Sequence, residues 1–153
     1  MRDQNEASDE VWGPVSCLLL EVPPGANVGP GVVELLHLVD SRAVRLLDIE
    51  VVEHTRTGLR KVDDADWFWR LAPPVIELVG SSSDLLDDED LRVVADRLAL
   101  GSVGIVVVYE SLVMRDVVDR FASHGVEAVH SFALLPSDLE LALDQSEPVR
   151  SGT

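Results

Sequence analysis

An α+β fold built on a four-stranded antiparallel sheet is predicted for this chain, on three observations. Two apolar strands, one in each half of the sequence, are each followed by a break, an amphipathic helix and a second strand. The two units match in register: Leu18-Leu19-Leu20-Glu21 closes the first strand of one, and Val106-Val107-Val108-Tyr109-Glu110 closes that of the other. The chain has 153 residues, the size of one domain with a core that needs no staples.

The first strand is read over 14–22, with Cys17-Leu18-Leu19-Leu20 at its centre, and Pro23-Pro24-Gly25 ends it. A helix follows over 29–40. Val32, Leu35, Leu36 and Val39 fall at i, i+3, i+4 and i+7, the spacing of one buried face, and Pro30 suits a first turn. A second strand covers 43–54, Thr57-Gly58 turns the chain, and 59–62 returns as a hairpin partner. In the second unit, 103–109 is a β-branched strand and 112–123 a helix with Met114, Val117, Val118 and Phe121 inward. Gly125 stops that helix, and a strand over 126–135 and a short terminal helix over 138–143 complete the unit. Between the units lies an insertion, 55–100, carrying the hairpin, Trp67-Phe68-Trp69, Pro73-Pro74 and a helix over 87–98. Leu91, Val94, Ala95 and Leu98 form the inward stripe of this last helix. Asp87 is its N-cap, and Asp88, Glu89 and Asp90 occupy the first turn, where the helix dipole favours negative charge.

Two tandem βαβ units suggest the split-βαβ, ferredoxin-like plan, in which the two first strands lie side by side and antiparallel at the centre. The domain is placed at 12–144, between a polar, acidic tail over 1–11 and a second polar tail over 145–153, both expected to be disordered. Both faces of the central strands are apolar: Cys17 and Leu19 against Leu18 and Leu20, Ile105 and Val107 against Val106 and Val108. Both faces should therefore be covered. The two crossover helices cover one; the other is expected to meet the aromatic insertion, a dimer contact, or both. Leaving four such side chains wet would forgo on the order of several kcal/mol, comparable with a domain's whole stability.

Twelve Lys and Arg against 28 Asp and Glu give a net charge of −16. That balance, with no basic stripe to offset it, argues against nucleic acid and against anionic membrane surfaces. The first ten residues lack the basic flank and apolar stretch of a signal peptide, and the longest apolar run, 103–109, is far short of the ~20 residues that span a bilayer. A cytoplasmic location is expected. Cys17, the single cysteine, excludes an intrachain disulfide and a cysteine zinc site within one chain. It sits in an apolar run with no base nearby, where cysteine acts as a small hydrophobe.

Trp12-Gly13-Pro14-Val15 with Leu20-Glu21-Val22-Pro23 resembles the start of an uncharacterised family of small actinobacterial proteins, known only as a domain of unknown function, whose pattern opens Gly-Pro-Val and continues to Val-Glu-Phe-Pro. Arg45-Leu46-Leu47-Asp48-Ile49, Thr57-Gly58, Leu85-Leu86-Asp87-Asp88-Glu89-Asp90, Gly101-Ser102 and Val107-Val108-Tyr109-Glu110-Ser111 are similar to its later motifs, in the same order. The resemblance covers about residues 12–135 and departs at Tyr109, Ser111 and Trp67-Phe68-Trp69. It implies a bacterial, cytoplasmic setting and assigns no site.

Glu21 and Glu110 each end an apolar strand before a helix. As a pair they would suit acid/base work or a divalent metal. Antiparallel strands of about seven residues would hold them ~20 Å apart, beyond the roughly 6.5–9.5 Å of widely spaced catalytic carboxylates, so a structural role beside a helix N-terminus is preferred. His37, His54, His124 and His130 form no close pair, and the acidic run from Asp84 to Asp90 lacks the spacing of a calcium loop. The glycines of 25–31 match no phosphate-binding loop, and no Gly-x-Ser-x-Gly elbow occurs. Trp67, Phe68, Trp69 and Arg70, next to Pro73-Pro74, are the most distinctive cluster, read as a lid or interface first and a small-molecule pocket second. The functional expectation is a non-enzymatic, self-associating binding or regulatory domain with no cofactor and no metal, acting as a homodimer or with a protein partner. The alternatives are a small enzyme with Glu110 or Glu21 as acid/base and an aromatic pocket, and a structural subunit of a larger assembly.

Overall fold

The computed structural model describes residues 11–62, 85–126 and Glu140. Within them the order is β1 (Val15–Val22), α1 (Gly29–Asp40), β2 (Val44–Thr55), β3 (Gly58–Val62), α2 (Asp88–Arg97), β4 (Val103–Ser111) and α3 (Leu112–Ala122). The class is α+β: four strands in one antiparallel sheet, order β1-β4-β2-β3, with three helices.

β1 pairs antiparallel with β4, Leu18 opposite Val107 and Leu20 opposite Ile105. The expected side-by-side pairing of the two first strands is therefore present. Within the described sheet β4 and β2 are the central strands and β1 stands at the edge. The strand expected over 126–135 lies outside the described residues, apart from Val126, as does the terminal helix, apart from the helical Glu140, and as do Trp67, Phe68, Trp69 and Arg70.

A bulge at Leu47 sets which residues of β2 face which way. Leu46 is opposite Tyr109, and the next paired residue, Asp48, is opposite Val108. The extra residue keeps Leu46, Ile49 and Val51 on one face and turns Asp48, Glu50 and Val52 to the other. On the first face, α1 brings Val32 against Ile49, Val51, Ile105 and Val107. On the second face, α2 brings Val94 and Leu98 against Val52 and Val106. The helix of the insertion therefore closes the face that the crossover helices were expected to leave open.

α2 is started as its sequence predicts. Asp87 Oδ1 accepts from the Glu89 and Asp90 N–H groups, and Asp90 Oδ2 accepts from the Asp87 N–H, a reciprocal capping box. These backbone donors hold the Asp87 carboxyl below its ordinary value. α3 departs from expectation. Its helix forms over Leu112–Ala122, but none of its residues is buried, and Val113, Met114, Val117 and Phe121 are exposed. The stripe assigned to the core is not in the core of the described chain.

Candidate functional site

Glu110 ends β4 with its side chain fully buried. Its Oε1 accepts from the Gly13 N–H and from Arg115 Nε, each at 2.8 Å. Its Oε2 lies 2.7 Å from Arg115 Nη2 and 2.7 Å from Arg45 Nη2. Three hydrogen bonds and one ion pair thus surround a single carboxylate. The Arg115 fork, with the Gly13 N–H and the Arg45 charge, outweighs burial and holds the Glu110 carboxyl below its ordinary range. The Trp12 ring covers the Arg45 guanidinium at 4.2 Å. One carboxylate thus ties together the N-terminal segment, β2, β4 and α3. An ionised, saturated carboxylate has no proton to give and no free lone pair to take one, so it is poorly suited to acid/base work. The partners of Glu110 are two guanidiniums and a backbone N–H of the N-terminal segment rather than the helix N-terminus expected.

Glu21 sits at the other end of β1. It is opposite Gly104, whereas Glu110 is opposite Val15, so the strand places the two acids roughly 20 Å apart. They do not converge. Sequence reasoning missed a different acidic set, Asp48 and Glu50, both buried on the α2 face. Asp48 Oδ2 accepts from the Leu85 N–H at 3.1 Å, and Glu50 Oε1 lies 3.3 Å from Lys61 Nζ. Their spacing of two along a strand was the available signal. The bulge and the covering helix were not legible with it.

Cys17 lies on β1 with its side chain exposed, yet its thiol pKa is pushed up, by burial first and then by the charges of Asp90 and Asp48. A raised thiol is a poor nucleophile. His54 Nδ1–H donates to the Leu98 carbonyl at 2.6 Å, and the backbone of His54 bonds Gly101 and Ser102, so this histidine fastens the loop after α2 to β2. Among the described residues, no group of three or more His, Cys, Asp and Glu is placed to hold a metal ion.

The described residues line a trough of about 630 Å³ between α1 and the α1 face of β1 and β4. Its walls are apolar, among them Leu18 and Leu20 of β1, Leu35 and Leu38 of α1, and Val107 and Tyr109 of β4. Leu18, Leu20 and Leu38 are 46%, 44% and 39% exposed, although the two β1 leucines belong to a face that should be sheltered. Glu21 and Glu34 also line it, and no Lys or Arg does so among the described residues. The trough can shelter apolar side chains; its described lining brings together no set of groups suited to bond chemistry.

Comparison with protein families, with curated proteins and with solved structures finds no match to this chain. Among the described residues, no helix is long and apolar enough to cross a membrane.

Proposed function

We propose that this chain is a non-enzymatic, self-associating binding or regulatory domain on a ferredoxin-like core, akin to the small actinobacterial proteins it resembles and acting in the cytoplasm. The strand order supports the core: β1-β4-β2 is the sequence of pairings that the split-βαβ plan gives to its first, third and second strands, with β3 added beyond β2 as a hairpin. The single observation that carries the function is the apolar trough, with leucines half in water and no converging polar chemistry. Covering the exposed parts of Leu18, Leu20 and Leu38 is worth roughly 1 kcal/mol each, enough to bias a chain toward association. The enzyme alternative is weakened by the saturated state of Glu110 and its distance from Glu21. A net charge of −16 opposes both self-association and nucleic-acid binding, so the partner surface must be apolar or locally basic.

Light scattering coupled to size exclusion, at 0.15 M salt and above, tests this. The expected mass is a multiple of 16.7 kDa. A strict monomer up to the highest soluble concentration overturns self-association.

A further inference from the structure

We draw no further inference here: the strongest candidate, the apolar trough between α1 and the α1 face of β1 and β4, carries nothing beyond the reading above, because nothing among the described residues shows what covers it.

Discussion

Replacing Glu110 by Gln keeps its shape and removes its charge. The Gly13 N–H can still find the amide oxygen, but the amide nitrogen is a donor facing guanidinium donors. Removing one partner of a fully buried pair costs about 3–5 kcal/mol. Arg45 and Arg115 are 35% and 28% exposed, so water recovers part of their solvation, and a loss of ~2–3 kcal/mol is expected. For a chain of this length that lowers Tm by about 4–12 °C. Urea titration at pH 7 should show a lower midpoint with an unchanged slope. The pH dependence supplies an independent check. A carboxyl with a lower pKa folded than unfolded adds stability above its unfolded value and loses it as pH falls through the folded one. Glu110 is of this kind, its ordinary value being 4.5, so the parent chain should lose this increment on acidification below about pH 4.5, and Glu110→Gln should lack that part of the acid limb. A loss under about 0.5 kcal/mol at pH 7, or the same acid limb in both proteins, would show that the cluster does not hold the fold together.

Two glycines should respond differently to alanine. At Gly13 a Cβ would collide with the Ser111 carbonyl oxygen and stand 3.0 Å from the Arg115 nitrogen, both backbone atoms, so Gly13→Ala should cost ~2–3 kcal/mol in urea titration. At Gly104 the neighbours are the side-chain tips of Leu19 and Leu98 at 3.1–3.4 Å, which can shift, and the loss should be ~1 kcal/mol or less. His54→Ala removes the bond to the Leu98 carbonyl at the C-cap of α2 and should cost ~1 kcal/mol, with faster amide exchange at the end of that helix; unchanged exchange would count against its fastening role. Cys17 should react with Ellman's reagent at pH 8 more slowly than free glutathione, and Asp90→Asn should speed it; a rate equal to glutathione would contradict the raised thiol.

Elements carried by local chemistry were legible. The β-branched run at 103–109 could only be a strand, and Asp87 with Asp90 three residues on spelled a capped helix start. The pairing of 14–22 with 103–109 was legible because the two strands match in length and polarity. Glu110 was legible as a special residue but not as a cluster. Arg115 lies across a strand–helix junction, and Arg45 is opposite Glu110 in a register offset by the bulge at Leu47. Nothing in Arg45-Leu46-Leu47-Asp48-Ile49 says which residue is the extra one, since both leucines are equally apolar. The same ambiguity hid Asp48 and Glu50, which alternation alone assigns to water and which α2 covers instead. The trough went unseen because finding it requires knowing that one of the two crossover helices is absent from the face both were expected to share.

That absence bears on what helical periodicity measures. A stripe at i, i+3, i+4 and i+7 records that a helix has been shaped to lose water from one side; it carries no information on whether the covering surface belongs to the same chain. α1 and α3 have equally regular stripes. Val32 of α1 is buried by its own sheet, while Val113, Met114, Val117 and Phe121 are 42–63% exposed. Exposed apolar residues scattered singly need no account, but four on one helix do. The polar cluster at the start of α3 sets the direction of the helix independently of that stripe. Three hydrogen bonds and an ion pair on Glu110, with the Ala43 carbonyl taking the first N–H groups of the helix, hold its first turn. A flexible Gly-Ser insertion between Ser111 and Leu112 should separate Arg115 from Glu110 and lower the urea midpoint, and a midpoint unchanged by the insertion would show that the junction does not anchor the helix.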